Sequence, residues 1–322
     1  MMKLKINNFK RFFIALIIFL SVFLFGLYML IFHSPYTYIK DLWVTTAMST
    51  LSHQYLAKMF VSDAEIAEIL KRNRVVAASA NVDPSLISEQ TSSAIEQIDI
   101  TGKGYKGKLL IVHDPSRVFV GAADTAKLKG KFIKDLVNKY DAVGGMNAGG
   151  FIDFDSKHGD GRGPDGLLIS QGEVLNGENG IKYHLIGFTE DNKLVLGSYN
   201  LAKIKEMKVR DAVSFAPVLI VNGIPSKMYG NGGWGISPRT AIGQRKDGAV
   251  LMLVIDGRQI SSIGASMKDL QDIMLQYGAY NATNLDGGSS TVMVYNGEII
   301  NSPSSVSSGR YLPDGFLIKK EN

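Results

Sequence analysis

The pattern of apolar and polar positions changes sharply near residue 32. Residues 12–32 form a nearly unbroken apolar run without a charge, and about 20 such residues in a helix span the core of a bilayer. The basic side chains before this run are Lys3, Lys5, Lys10 and Arg11. Because basic flanks tend to stay in the cytoplasm, the pattern predicts a cytoplasmic N-terminus and an extracytoplasmic remainder. A cleaved signal peptide has a shorter apolar region and a small-residue cleavage site, so residues 1–36 are interpreted as an uncleaved tail and transmembrane anchor.

The stretch after the anchor has helical periodicity. The apolar residues that recur at helical spacing are Met48, Leu51, Tyr55 and Met59. Ser62 and Glu65 have the spacing of a capping box at the start of a second helix. Residues 37–75 are therefore predicted to form a helical stalk or a membrane-proximal helix pair, and packing on the following domain remains an open alternative. The polar residues that follow are interpreted as a linker, which ends the segment 37–99.

From about residue 100 the pattern changes to short strands separated by turns. The runs KGKLLIVHD, RVFVGA, DAVGGMNAGGF and RTAIGQRKDGAVLMLVIDGR are strand-like. Helices are predicted over 127–140 and 266–277, the second with Ser266 as N-cap and Gly278 as the stop. Strands and helices do not alternate regularly, so the predicted fold class is α+β, with a mainly antiparallel sheet and packed helices.

Composition narrows the classes of protein. Of the 322 residues, 45% are hydrophobic, which is enough for a sizeable core, and 34 are glycines, which indicates frequent turns. The net charge of +5 comes mostly from the N-terminal tail, so the remainder lacks the basic face typical of nucleic-acid-binding domains. The chain has no cysteine, which excludes disulfides, thiolate metal sites and cysteine nucleophiles.

Four bends carry polar residues where strands could begin or end. They are GGMNAGGFID, SPRTAIG, VIDGRQ and NLDGGSST, and their polar residues are Asn147, Arg239, Thr240, Asp256, Arg258 and Asp286. Taken singly, each bend is typical of an ordinary turn, because Asp, Asn and Gly suit turn dihedrals. Four such bends in one domain, with two acids and two arginines, favour a functional site on loops that a rigid scaffold holds.

In this order, the four bends resemble the phosphodiester glycosidase family. MNAGGF resembles the family's N-x-G-F/Y-F stretch, SPRTAIG and DGR its middle motifs, and NLDGGSST its N-L-D-G-G-G-S-[ST] signature. The resemblance covers roughly residues 100–322, which are interpreted as the catalytic domain. Two departures are visible: Ser289 replaces a third glycine, and Arg310 lacks the acid often found before it.

The resemblance implies hydrolysis of a sugar-1-phosphodiester, with Asp286 and Asp256 as the two carboxylates that glycosidases commonly use. Arg239 would hold the anionic phosphate, and hydroxyl groups after Asp286 would keep that acid ionised. The residues expected to bind substrate are Asn147, Arg239, Thr240, Arg258, Gly287, Gly288, Ser289, Ser290, Thr291 and Arg310. Asn147, Arg239, Asp256 and Asp286 are predicted to line one pocket.

Metal binding has only a weak signal in this sequence. Clustered acids at Asp153, Asp155 and Asp160 could hold a hard divalent cation such as calcium, but their spacing is not that of an EF-hand and a solvated loop is the preferred interpretation. The predicted function is a membrane-anchored hydrolase outside the cytoplasm, acting on a glycosyl phosphodiester of cell-envelope glycan or exopolysaccharide. A non-catalytic exopolysaccharide-binding protein and a phosphodiesterase that cuts the P–O bond remain alternatives.

Overall fold

The computed structural model describes residues 8–50, 53–78, 81–88, 92–124, 129–153, 160–305 and 309–321. Helices and antiparallel sheets are mixed along these residues, which confirms the predicted α+β class. The described helices are α1 (Asn8–Phe32), α2 (Thr37–Met48), α3 (Tyr55–Lys58), α4 (Asp63–Arg72), α5 (Ile133–Lys139), α6 (Leu201–Glu206) and α7 (Met267–Gln276).

The apolar run forms one long helix. Phe9–Phe32 is long and apolar enough to cross a membrane, and its most apolar window is not buried against the rest of the protein. A surface helix that is apolar on all sides is out of place in water, whereas a bilayer would cover its side chains. This helix is therefore consistent with a signal anchor or membrane span.

Helices α2, α3 and α4 pack against one another. Because the sequence predicts that they follow a membrane anchor, we call this group of three helices, residues 37–72, the membrane-proximal hairpin. Its small core contains Val44, Ala57 and Ile69. The hydroxyl of Ser62 caps α4 by accepting from the Glu65 amide, as predicted. The apolar residues predicted at helical spacing, Met48 to Met59, do not lie on one helix, because α2 ends at Met48 and α3 begins at Tyr55. The side chains of Tyr55 and Met59 are exposed. Leu51 of that set lies outside the described residues.

The largest sheet has seven antiparallel strands, beginning before the predicted boundary at residue 100. In spatial order they are β14 (Ile224–Pro225), β13 (Val218–Val221), β18 (Ala279–Leu285), β16 (Arg239–Arg245), β17 (Val250–Ile255), β3 (Tyr105–Val112) and β2 (Ile95–Gly102). Strand β17 shows how this sheet is buried on both faces. Because side chains alternate along a strand, Val250, Met252 and Val254 enter one core while Leu251 and Leu253 enter the other.

Two five-stranded sheets cover one face of the large sheet. One contains β20 (Glu298–Ile299), β19 (Met293–Tyr295), β5 (Ala142–Asn147), β21 (Asp314–Lys319) and β4 (Val118–Ala122). The other contains β11 (Leu194–Asn200), β10 (Lys182–Thr189), β12 (Val209–Ser214), β8 (Leu168–Ser170) and β9 (Glu173–Asn176). Met146 and Phe316 from the first and Ile186 and Val213 from the second share a core with Met252 of the large sheet.

Two short strand pairs complete the described sheets. They are β1 (Arg74–Val76) with β15 (Lys227–Tyr229), and β6 (Phe151–Ile152) with β7 (Gly163–Pro164). Helix α7 covers the other face of the large sheet through Leu270 and Met274. Ser266 and Asp269 form a capping box, and Gly278 follows the C-cap with φ +82°, so both predicted ends of this helix are confirmed.

One predicted helix is much shorter than the sequence indicated. The apolar spacing predicted a helix over 127–140, but α5 occupies only Ile133–Lys139. Lys131 instead bridges to Leu312 in an extended segment, with backbone hydrogen bonds of 2.8 and 2.9 Å. Residues 127 and 128 lie outside the described part of the chain. The tertiary pairing with a distant segment therefore overrides the local helical preference.

Candidate functional site

A polar cavity of about 360 Å³ lies where several strands end. The charged side chains that line it are Asp165, Arg239, Arg258, Asp286 and Arg310. Its lining also includes the predicted binding residues Gly287, Gly288, Ser289 and Ser290. A second cavity of about 600 Å³ lies elsewhere, beside Lys131, Lys139 and Gln171, and none of the predicted site residues lines it.

The pairing of β16 with β18 brings Arg239 and Asp286 together. Arg239 is the first residue of β16, and Asp286 directly follows the last residue of β18. The strands are antiparallel with Thr240 opposite Leu285, so the beginning of one and the end of the other meet at the same edge. The Asp286 amide also donates to the Ala148 carbonyl at 3.1 Å, which ties this bend to the loop after β5.

The Arg239 guanidinium is held by backbone carbonyls. It donates to the carbonyls of Trp234 (2.6 Å), Gly235 (2.8 Å) and Ala265 (3.1 Å), and the residue is only 4% exposed. Among the described residues, no carboxylate forms an ion pair with it. Burial, and then the nearby charge of Arg258, lower the pKa of Arg239 to about 9. A buried cation of this kind gains stability from an anion that enters the cavity.

Burial dominates the ionisation of Asp286. Its Oδ1 accepts from the Gly287 amide at 2.9 Å, whereas its buried Oδ2 has no hydrogen-bond partner among the described residues. Burial raises the pKa of Asp286 to about 6, although the Ser290 hydroxyl, the Arg310 charge and the Gly287 amide oppose that rise. The hydroxyl groups after Asp286 were expected to keep this acid ionised. The Ser290 hydroxyl does favour the ionised form, but desolvation of the carboxylate is the larger effect on the pKa.

Asp314 is a second buried acid beside Asp286, and sequence reasoning missed it. It begins β21 and is 1% exposed, and its Oδ1 accepts from the Gly149 amide at 2.7 Å. Burial raises the pKa of Asp314 to about 7, and the charge of Asp286 adds to that rise. Asp314 does not line the cavity but lies behind it, near the loop after β5. The Asp-Gly pair that opens an apolar strand was the available signal, and it repeats the pattern seen at Asp286.

Three of the predicted binding residues lie behind the cavity in one hydrogen-bond network. The Asn147 side-chain amide donates to the Asp286 carbonyl at 2.6 Å, and the Thr240 hydroxyl donates to the Asn147 side-chain oxygen at 2.9 Å. Thr291 lies 3.4 Å from Thr240, hydroxyl to hydroxyl. All three are buried and none lines the cavity. They fix the backbone of the Asp286 bend against β5.

Asp256 does not line the cavity. The structure therefore does not bring Asn147, Arg239, Asp256 and Asp286 together as the lining of one pocket. Its Oδ1 accepts from the Asn301 side chain and the Ser302 amide, both at 2.9 Å. Burial raises the pKa of Asp256, and these two donors oppose the rise. Its neighbour Arg258 has a positive φ of 59° and does line the cavity. The bend VIDGRQ thus directs its arginine to the cavity and its acid to a neighbouring loop.

Arg310 finds its acidic partner in a distant segment. It forms an ion pair with Asp153 and lies over the Phe151 ring, 4.4 Å from the centroid. The acid that the sequence lacks immediately before Arg310 is thus supplied from the end of β6. Among the predicted metal ligands, Asp153 is engaged by Arg310 and Asp160 by Arg162, while Asp155 lies outside the described residues. Within the described part of the chain, no group of three acids or histidines has the geometry of a metal site.

The membrane-proximal hairpin also contributes to the cavity. Ser49, Thr50 and His53, which lie between α2 and α3, line it together with the aromatic residues Phe151, Phe215 and Trp234. The sequence assigned residues 37–99 to a stalk and linker and left packing on the following domain as an alternative, without indicating which residues would reach the cavity. Periodicity shows that a segment is helical, but it does not show which distant loop the segment contacts.

Mixed helices and antiparallel sheets, with a cavity that combines a buried carboxyl and three arginines, define the class of protein. The chain belongs to the phosphodiester glycosidase family, because residues 140–319 match the sequence model of that family. This match covers β5, β16, β18 and the Asp286 bend.

Two curated relatives illustrate the similarity. Mouse N-acetylglucosamine-1-phosphodiester alpha-N-acetylglucosaminidase is 27% identical over 233 residues, a match that covers 63% of this chain and 42% of that protein. The SPbeta prophage-derived uncharacterized protein YomE of Bacillus subtilis is 42% identical over 67 residues, covering 21% of this chain and 10% of that protein. The chain therefore spans less than half the length of these curated relatives.

A solved structure supports the fold. The catalytic domain of the zebrafish N-acetylglucosamine-1-phosphodiester alpha-N-acetylglucosaminidase, auto-inhibited by its pro-peptide, superposes on this chain with a TM-score of 0.59. The sequence identity is 23%, and the match covers 77% of this chain and 88% of the zebrafish chain. This similarity shows that the two chains share a fold.

Proposed function

We propose that the protein hydrolyses a glycosyl phosphodiester and releases a free sugar and a phosphomonoester. The observation that carries this proposal is the cavity in which Asp286 lies among Arg239, Arg258 and Arg310. Guanidinium groups bind phosphate oxygens through paired, charge-assisted hydrogen bonds, and a carboxyl beside them can act on the adjoining sugar. The mouse relative is named for a reaction of this type, which supports the proposal.

Arg239 holds the phosphate in this proposal. Its three backbone acceptors fix the guanidinium before substrate arrives, so little side-chain entropy is lost on binding. Arg258 adds positive charge to the same cavity, and Arg310, which pairs with Asp153, also lines it. The leaving phosphate monoester carries more negative charge than the diester, so these cations stabilise the products of bond cleavage more than the substrate.

Asp286 acts at the sugar. The bond between C1 and the phosphate oxygen breaks, and the oxygen of water becomes bonded to C1. Asp286 either attacks C1 and is then displaced by water, or takes a proton from water as it attacks. In both cases the electron pair of the broken bond stays on the phosphate, and the proton from water ends on a carboxylate or the phosphate. The anomer of the released sugar distinguishes the two routes.

The other acids have supporting roles in the proposal. Asp314, whose pKa burial raises to about 7, stays protonated below that pH and so limits the negative charge that faces an anionic substrate. Asp256, which the sequence favoured as the second catalytic carboxylate, positions the loop at Asn301 and Ser302. The cavity-lining Gly287, Gly288, Ser289 and Ser290 contact the substrate, while Asn147, Thr240 and Thr291 hold their backbone in place.

The cellular setting is also a proposal. We place the catalytic domain at residues 100–322, outside the cytoplasm, after a transmembrane anchor within 1–36 and the membrane-proximal segment 37–99. The support is the exposed apolar helix α1 together with the basic residues at the start of the chain. A glycan of the cell envelope or an exopolysaccharide fits this location as substrate.

The test is the substitution Asp286→Asn in the full chain, assayed on a soluble aryl phosphodiester of a sugar. The amide cannot act as base or nucleophile, so the rate should fall by at least about 10²-fold. The matched control is Asp272→Asn. Asp272 is an exposed acid on α7 that pairs with Lys268 and does not line the cavity. The thermal midpoint of Asp286→Asn at pH 7 should not fall, because burying an ionised carboxylate disfavours the folded state.

The products decide between the functions. Free sugar and phosphomonoester support the proposal, whereas a sugar phosphate would indicate cleavage of the P–O bond. Binding without turnover by the unmodified chain would indicate a glycan-binding protein. Near-normal turnover by Asp286→Asn would remove Asp286 from the reaction.

A further inference from the structure

The cavity wall includes the part of the chain that is nearest to the anchor. Ser49, Thr50 and His53 precede every described strand in sequence, yet they line the same cavity as Arg239 and Asp286. A flexible tether between an anchor and an enzyme would not contribute to the pocket. The membrane-proximal hairpin is therefore a component of the site as well as a connection to it.

Hydrogen bonds fix this hairpin to the loop that holds Arg239. The Ile236 amide donates to the Thr46 hydroxyl at 3.2 Å, and the Asn231 side chain donates to the Thr45 hydroxyl at 2.9 Å. A Cβ added to Gly235 would lie 2.1 Å from the Thr46 hydroxyl oxygen, so the two backbones are in direct contact. The carbonyl of Gly235 is one of the three that hold Arg239.

Aromatic contacts fix the same hairpin to the end of the apolar helix. The Phe32 and Phe60 rings stack with centroids 5.0 Å apart, and the Phe32 and Trp43 rings meet edge-on at 6.1 Å. Tyr36 and Tyr38 are 79% and 66% exposed. Tyrosine and tryptophan are enriched at membrane–water interfaces, so this exposed aromatic group matches the headgroup level of a bilayer.

These contacts limit the height of the cavity above the membrane. Helix α2 has 12 residues and is about 18 Å long, and only about 9 Å of it separates Trp43 from Ser49. The headgroup region adds roughly 5–8 Å on each side of the hydrocarbon core. The cavity therefore opens close to the lipid headgroups, at a height that a short and fixed structure sets.

Aromatic side chains also line the cavity, and one of them lies next to the hairpin. Trp234 lies beside Gly235, whose backbone contacts Thr46, and the Trp234 and Phe215 rings have centroids 6.1 Å apart. The cations that would hold a phosphate, Arg239 and Arg258, line the same cavity. A substrate that combines a phosphate with an apolar chain matches this combination of cations and aromatic rings.

We infer that the substrate is a lipid-linked glycosyl phosphate, in which one phosphodiester joins C1 of the sugar to the alcohol oxygen of a membrane-embedded alkyl or isoprenoid chain. The inference rests on the proposed hydrolysis and its membrane anchor. Water adds to C1, the C1–O bond breaks, the free sugar leaves, and the phosphate remains on the lipid with the proton from water. The protein thus acts on substrates in its own bilayer.

The test compares two substrates that carry the same sugar, a soluble methyl phosphodiester and a long-chain alkyl phosphodiester inserted in phosphatidylcholine vesicles. The full chain is reconstituted in the same vesicles, and the ratio of lipid to soluble turnover is measured at equal bulk concentration. In a second variant, four EAAAK repeats inserted after Ser34 raise the domain by about 30 Å. In its matched control the same insert precedes Asn8, at the other end of the apolar helix.

The unmodified chain and the control should prefer the lipid substrate by at least tenfold, and the insert after Ser34 should bring the ratio towards one. A ratio near one for the unmodified chain overturns the inference whatever the inserted variant does. A ratio that the insert after Ser34 leaves unchanged also overturns it. Loss of turnover on both substrates by the unmodified chain would instead refute the proposed hydrolysis.

Discussion

At the scale of single residues, the site contains ionisable side chains that are buried, whereas most ionisable side chains of a protein are in contact with water. Asp286 and Asp314 have raised pKa values of about 6 and about 7 because desolvation penalises their charged forms. Arg239 has a pKa lowered to about 9 for the same reason. Perturbed groups in one cavity are typical of functional sites, and here the acid and the cation are neighbours at one sheet edge.

The two acids predict a bell-shaped dependence of kcat/KM on pH. Asp286 must be ionised to act, so activity should fall as the pH drops below about 6. Ionisation of Asp314 adds a second negative charge near an anionic substrate, so activity should also fall as the pH rises above about 7. Because Asp286 and Asp314 interact, the two apparent pKa values of the profile describe the pair of acids together. Initial rates at constant ionic strength measure them.

The variant Asp314→Asn separates the limbs, because asparagine imitates the protonated acid and can still accept from the Gly149 amide. It should retain the acidic limb near pH 6 and lose the alkaline limb. An unchanged alkaline limb in this variant would assign that limb to another group. Loss of the acidic limb would mean that Asp286 is not the group that must ionise.

The geometry of Arg239 predicts that lysine cannot replace it. Arg239→Lys removes the planar group that three carbonyls hold through Nε and Nη2, and with it the two N–H groups of Nη1 that would bind phosphate. The KM for a soluble glycosyl phosphodiester should rise by roughly tenfold or more, which corresponds to about 1.4 kcal/mol. Arg245→Lys at the other end of β16 is the control, since Arg245 pairs with Asp247 on the surface. Equal effects of the two changes would argue against a phosphate-binding role.

At the scale of elements, the loop 230–236 connects the hairpin to the site. It donates hydrogen bonds to α2 and to Asn73, and two of its carbonyls accept from Arg239. Its glycines allow this close approach. Gly235 has φ +56°, in the left-handed region, and any side chain there would meet the backbone of Thr46. The loop therefore joins the hairpin to the guanidinium through direct contacts.

This role predicts that Gly235→Ala lowers both stability and activity. The added methyl would lie 2.1 Å from the Thr46 hydroxyl oxygen, so the loop and α2 must separate. Backbone strain alone should cost roughly 1–2 kcal/mol, and the clash should add to it. Gly180→Ala is the matched control, because Gly180 also has a positive φ, +85°, but nothing lies within 4 Å of its added Cβ. The thermal midpoint and kcat/KM are measured for both variants. The difference between them isolates the effect of the Gly235–Thr46 contact from that of backbone strain, and equal losses would show that this contact has no role.

At the scale of the whole molecule, the basic N-terminal tail and the exposed apolar helix predict an N-in, C-out orientation. Protease added to intact protoplasts that express the chain should remove the domain beyond residue 100. The same protease on permeabilised protoplasts, together with a cytoplasmic marker, shows that the membrane was intact in the first sample. A domain that is protected until lysis would place the site in the cytoplasm and contradict the orientation.

The sequence by itself determined the features that depend on local pattern. The apolar run gave α1, alternation gave strands such as β16 and β17, and Ser266 with Gly278 gave the ends of α7. The bends that carry Arg239 and Asp286 were also visible, because glycines and polar residues at strand ends stand out in one dimension. Each of these signals lies within one short continuous segment of the chain, where local backbone preference acts.

Only the tertiary structure decided which of these groups meet. It paired β16 with β18, which brought Arg239 to Asp286, and it placed Asp256 behind another loop. It also brought Asp314 and the membrane-proximal hairpin to the site, although neither carries a strong motif. Sheet register and loop contacts join residues that are 45 to 190 positions apart, and burial then sets their charge. No local pattern contains that information, because desolvation depends on every segment that packs around the group.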